Sequence, residues 1–310
     1  MNRLAIAALG LSAVVASAAA LSCGMLKKKA STMDTDSLEK VAKTIEDANK
    51  DLTPENEYYI GRSVATNLLS RSDYKYLDSK AIAEGKLAGV TAYVSSVGQV
   101  VAAAAMQDAR KGDRPSPIAG WHFTVIDDDT INAFAAPGGY IFITKGALAA
   151  AKSEDELAAI LAHEVAHVVR GHAIGSIKKS RWAGVAKDAV NATAELSSKE
   201  VAQLTEVFEG AMDDMVDAIL VKGYSRDTEY GADKVGAEIM VRAGYNVKAF
   251  IAYLKTLESK QGGGDGGWSA THPKASDRIA KLEKHLAKLG VNKTKKHRTQ
   301  RFLVATDGMR

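Results

Sequence analysis

His163-Glu164-Val165-Ala166-His167 is the stretch on which the reading of this chain turns, because it falls inside a strong helical pattern. Ser153 and Glu156 form a capping-box signature, and Leu157, Ile160, Leu161, Val165 and Val168 supply an apolar stripe, so a helix is predicted from Glu154 to His172. Side chains four apart on a helix leave from the same face one turn above each other, so both imidazoles can reach one ion. Zinc suits them: it accepts neutral imidazole nitrogen and leaves a position for water in a catalytic site. Glu164, beside the first histidine, can reach that water without binding the metal. A histidine pair merely packed into a core would have no use for an intervening carboxylate, which is costly to bury unpaired.

Two histidines leave zinc short of a third protein ligand. The string Tyr224-Ser225-Arg226-Asp227-Thr228-Glu229-Tyr230-Gly231-Ala232-Asp233 again places two acids one turn apart. Alone, such a pair is an ordinary solvated helix face. Beside the His163–His167 helix it becomes the expected completion, with Glu229 on the metal and Asp233 accepting a hydrogen bond from a ligand histidine.

Outward from these motifs the pattern is mainly helical. Asp36 to Lys50, Pro54 to Arg71, about Leu77 to Met106, a helix ending near Lys260 and a last one at Ala275 to Leu289 carry three- and four-residue apolar spacing. Between Trp121 and Thr144, runs of Val, Ile, Phe and Thr broken by Asp127-Asp128-Asp129 and Pro137-Gly138-Gly139 predict two or three short strands. The fold class expected is therefore α+β, mainly helical, with a short antiparallel sheet beside the histidine helix.

The first residues read as an export signal: Asn2 and Arg3 precede an uncharged apolar run from Leu4 to Leu21. The sole cysteine, Cys23, follows directly, where a bacterial lipoprotein signal places its lipidated residue. Lys27 to Thr35 lacks apolar periodicity and reads as a tether. The expected organisation is a signal at 1–22, a lipid anchor and tether at 23–53, a catalytic domain at 54–290 and a basic tail at 291–310, read as a solvated end. The expected location is the periplasmic side of the envelope, on a membrane through Cys23. A formal charge of +4 from 41 basic and 37 acidic side chains gives no ground for a nucleic-acid partner.

His163-Glu-Val-Ala-His167, followed some sixty residues later by the Tyr224–Asp233 string, resembles the zinc signature of metallopeptidase family M48, which includes HtpX-like and prenyl-protein proteases. Asn132 to Gly139 with Tyr140 to Thr144, and Thr271-His272-Pro273 with Arg278-Ile279, resemble further segments of that family. The resemblance implies a gluzincin-type fold and one zinc per chain on His163, His167 and Glu229. It also implies peptide-bond hydrolysis with Glu164 as base, and among family members the likeness is greater to exported bacterial ones in envelope protein quality control. It makes His272 the candidate oxyanion donor or metal gate, and Asn132, Ala133, Phe134, Ala135 and Ala136 the edge on which an unfolded protein or peptide substrate lies as an added strand. His122, His172, His285 and His297 are read as surface or packing residues. Rival readings are a chaperone-like binder with a latched or structural metal, and hydrolysis of a cell-wall peptide.

Overall fold

The elements, in chain order, are α1 (Pro54–Ser70), α2 (Val90–Met106), β1 (His122–Ile126), β2 (Ala133–Ala136), a 3-10 turn at Pro137–Gly139, β3 (Tyr140–Thr144) and α3 (Lys145–Ala150). They continue with α4 (Glu154–Val169), α5 (Arg226–Arg242), α6 (Lys248–Lys260), α7 (Ala275–Leu286) and α8 (Lys296–Ala305). The computed structural model describes residues 51–70, 89–108, 110, 112–178, 223–260, 272–307 and 309. Leu52–Ile174 and the described residues of Thr205–Arg310 form one compact unit, which holds all these elements. The expected signal, Cys23 and tether and the Asp36–Lys50 helix lie outside the described residues. Among the described residues, no helix is long and apolar enough to cross a membrane.

The organising element is α4, all of whose residues are buried. Small and aliphatic side chains cover its whole circumference rather than the single stripe expected, which is what a helix packed on every side requires. It contacts α5 and α2 most extensively, then α6, β2 and α8. The capping box forms in a shifted version. Ser153 Oγ accepts from Glu156 N at 3.2 Å, while Glu156 Oε2 accepts from Lys152 N at 2.9 Å.

The sheet has the order β1-β3-β2 and is mixed, not antiparallel throughout: β1 runs parallel to β3 and only β2 runs antiparallel to it. The tight Pro137–Gly139 turn makes a hairpin of β2 and β3, and β1 then pairs on the far side of β3. Alternation along the strands divides the side chains between two faces. Phe123, Val125, Ala133, Ala135, Ile141 and Ile143 join the core with α2 and α4, whereas Ile126, Phe134, Ala136 and Phe142 pack under Val64, Ala65 and Leu68 of α1. Phe134 and Phe142, directly opposite in register, stack with centroids 5.0 Å apart.

Beyond residue 291 the chain is not a solvated end. It forms α8, buries Phe302 completely, and sets Arg301 against Glu154 at the start of α4.

Candidate metal centre

Two backbones come close enough to build the centre because α5 carries Gly236. A Cβ there would lie 3.2 Å from the Ala162 carbonyl carbon and oxygen and from His163 N. The Ser225 hydroxyl caps α5, accepting from Thr228 N at 3.3 Å, and starts the helix in the register that turns Glu229 and Asp233 toward α4.

His163 Nε2 and His167 Nε2 are 3.1 Å apart, and each lies 3.4 Å from one Glu229 oxygen. His272 Nε2 stands 3.5 Å from Glu229 Oε2, its side chain almost wholly buried. One atom from each of these four residues falls within 4.8 Å of the others. Behind them, Asp233 Oδ1 faces His163 Nδ1 at 3.0 Å and takes the Arg278 guanidinium at 2.6 Å, with Asp233 Oδ2 on Arg278 Nε at 2.9 Å. Arg278 Nη2 also approaches His163 Nδ1, at 3.3 Å.

These residues fit a divalent cation on three counts. Ligand atoms about 2.0–2.1 Å from a tetrahedral zinc lie roughly 3.3 Å from one another, close to the spacings found. Both Glu229 oxygens and Glu164 Oε1 are buried without a hydrogen-bond partner among the described residues, an arrangement that is costly unless a cation or water meets them. Glu164, Glu229 and Asp233 set three buried carboxylates against the single buried guanidinium of Arg278, an excess of two negative charges when all are ionised. Two groups titrate high beside that excess, and two histidines are held low by burial instead. Burial and Arg278 push His163 down, but Asp233 and Glu229 outweigh them and leave it raised, at about 9. Burial, with Glu229 adding to it against the opposing His163, pushes Glu164 up to about 7. Burial and the neighbouring histidines hold His167 low, and burial brings His272 down to about 3.

His163, Glu164, His167, Glu229, Asp233 and His272 are brought together here, whereas the predicted substrate edge reaches the centre only through its far end. The side chains of β2 are buried, as is that of Asn132 just before it. The Asn132 amide oxygen accepts from Ala133 N at 2.9 Å, and its own N–H donates to Thr144 Oγ1 at 3.0 Å. Ala135 and Ala136 share a small recess with His167 and Tyr224.

Three residues of the site had no assigned part in the sequence reading. Arg278 stood in a quoted motif with no role, and an acid partner 45 residues away leaves no local signal. The Tyr224 ring stacks on His167, centroids 4.4 Å apart and planes at 22°. His172, read as a packing residue, places Nδ1 2.9 Å from His167 Nδ1, and burial pushes its pKa down to about 4. Five-residue spacing is not a same-face spacing on a helix, so the pattern concealed it.

The family model of peptidase family M48 matches residues 91–286. The mitochondrial metalloendopeptidase OMA1 of Schizosaccharomyces pombe is 31% identical over 206 residues, covering 66% of this chain and 55% of that protein. The metalloprotease YcaL of Escherichia coli is 27% identical over 54% of this chain and 62% of its own length. The beta-barrel assembly-enhancing protease of Escherichia coli is 26% identical over 52% of this chain and 33% of its own. The chain thus spans less than two thirds of the length of each of these relatives.

Proposed function

The chain belongs to peptidase family M48, a family of metal-dependent proteases, and on that premise we propose that it is a zinc endopeptidase with His163, His167 and Glu229 as ligands and Glu164 as general base. The observation that carries this reading is the convergence of two imidazole nitrogens on a buried carboxylate whose oxygens have no hydrogen-bond partner among the described residues.

Zinc held there would supply a Lewis acid for the scissile carbonyl and lower the pKa of a bound water toward about 7. Glu164 takes the proton of the attacking water and delivers it to the departing amine. A pKa raised toward neutrality suits it to both transfers. Asp233, clamped by Arg278, accepts from His163 Nδ1 and keeps the His163 Nε2 lone pair turned into the site. His272 serves as oxyanion donor or as gate. Four protein donors would close a zinc shell, whereas catalysis needs an open position, so in the gating role His272 would have to stand off the metal when substrate binds.

A peptide substrate lies along β2 as an added strand. The side chains of Ala133 to Ala136 are buried, so β2 can offer main chain only, which tolerates many sequences. Unfolded or misassembled envelope proteins are the substrates we propose, met on the periplasmic side by a chain anchored through a lipidated Cys23. The names of the Escherichia coli and Schizosaccharomyces pombe relatives, both proteases, agree with protein substrates.

One observation favours a second reading, a latched or structural metal in a binding protein: His272 completes a four-donor set. Purified wild type and Glu164→Gln, assayed side by side on casein with metal content measured, separate the two. Cleavage by the wild type, with zinc retained and cleavage lost in the variant, supports the peptidase. Zinc in both with cleavage in neither sinks it in favour of the latched form.

A further inference from the structure

The two ligand histidines are held from behind in different ways. His163 has a carboxylate at Nδ1, itself gripped by a guanidinium. At His167 the equivalent place is taken by another imidazole. We infer that His172 is a positioning residue for the metal centre: its Nδ1 accepts the proton on His167 Nδ1, leaving His167 Nε2 unprotonated and aimed at the metal. The inference rests on the zinc reading above for what His167 Nε2 binds.

The chain is shaped to bring His172 there. In an uninterrupted helix, five residues turn the side chain by about 500°, which leaves it roughly 140° away from His167. Instead, α4 stops at Val169. Arg170 is its C-cap, with N–H donated to Ala166 O at 2.9 Å, and Gly171 takes a φ of +65° before a helical segment resumes over 172–178. That left-handed residue swings His172 back against the last turn. A side chain at 171 would be strained by this φ and would press within 3.1 Å of Arg114.

At 2.9 Å a single proton lies between the two Nδ1 atoms. Its place on His167 follows from the direction of His167 Nε2, which faces His163 Nε2 and Glu229. The Tyr224 ring, stacked on His167, opposes rotation of the imidazole about its own bond. A neutral acceptor here also has an electrostatic reason. A carboxylate would raise the local excess from two negative charges to three, more than one divalent cation neutralises.

The position of the acceptor separates a positioning role from simple filling of space. Asparagine carries its amide where the histidine Nδ1 stands, whereas glutamine carries it one atom farther out, and both keep the site polar. Zinc affinity would be measured on the purified full chain by competition with a chromophoric chelator, for wild type, His172→Asn and His172→Gln, with metal-free thermal midpoints recorded. The expected result is zinc bound within about threefold of wild type by the Asn variant and about 10–100-fold more weakly by the Gln variant, the usual cost of losing the partner of a ligand histidine. Metal-free midpoints are expected to be alike. Wild-type affinity in the Gln variant, or equal weakening in both, would overturn the inference while leaving the peptidase reading standing. A wild type that binds no stoichiometric zinc would overturn both.

Discussion

The two ends of α4 bury acids of the same kind and use them oppositely. At the N-terminal end, Glu154 receives Arg301, Tyr93 Oη at 2.8 Å and Tyr245 Oη at 3.1 Å, while Asp155 accepts from Asn246 N at 3.1 Å and faces Arg298 through Oδ1 alone, its Oδ2 having no hydrogen-bond partner among the described residues. Burial alone would raise the Glu154 pKa, but these partners outweigh it and leave it lowered. At the other end, Glu164 and the Glu229 it faces across the helix pair keep oxygens with no hydrogen-bond partner among the described residues. A buried acid surrounded by donors fastens helices together. A buried acid left open, among imidazoles, waits for an ion or a proton.

The largest effect that sharpens this contrast is expected from Glu229→Gln. Zinc affinity should fall by more than the about 10–100-fold that follows loss of a ligand's partner. The thermal midpoint of the metal-free protein should fall only slightly, since the Glu229 oxygens have no hydrogen-bond partner among the described residues and lose only the attraction of the neighbouring imidazoles and Arg278. A metal-free midpoint lowered as far as that of Glu154→Gln would mean that Glu229 is a structural acid like Glu154. Arg301→Ala tests the opposite end. Because Arg301 is half exposed and the two tyrosine hydroxyls remain, the expected loss in chemical denaturation is about 1–2 kcal/mol, below the usual figure for a broken buried pair. Its zinc affinity should be unchanged.

Gly236→Ala lies between the two cases. Forcing a methyl against the Ala162 and His163 backbone should cost about 1–3 kcal/mol and weaken zinc binding at the same time, visible as parallel shifts in denaturation and chelator competition. The mildest test is pH. Glu164 must be ionised to take a proton, so kcat/KM should fall about tenfold per unit below an apparent pKa at or under about 7, a bound cation drawing it down from the metal-free value. A flat acid side down to about pH 4, below the ordinary glutamate value, would remove Glu164 from the role of base.

Local patterns carried most of the fold. Apolar spacing predicted a helix from Pro54 to Arg71, which is found at Pro54–Ser70, and the Ser153 cap started α4 at Glu154. Period-two alternation in strands states which side chains share a face but not the direction of a neighbouring strand, so the parallel pairing of β1 with β3 was not legible. The last helix was misread for a related reason. Its lysines and arginines are solvent signals by composition, while the single buried Phe302 and the Glu154 partner of Arg301 depend on a contact across 147 residues. At the candidate centre the zinc reading drew on spacings of four, the ones a helix converts into neighbours. Arg278 and His172 reach the site by tertiary packing and by a chain reversal at Gly171, neither of which has a periodicity to read.

The most direct test of the account is X-ray absorption at the zinc edge on the purified protein, with metal stoichiometry determined and His163→Ala alongside. The account predicts one zinc per chain in the wild type, nitrogen and oxygen neighbours at about 2.0–2.1 Å with an imidazole scattering pattern, and loss of that signal in the variant. Stoichiometric zinc with an unchanged signal in His163→Ala, or a wild type that carries none after growth and dialysis in zinc, would contradict it.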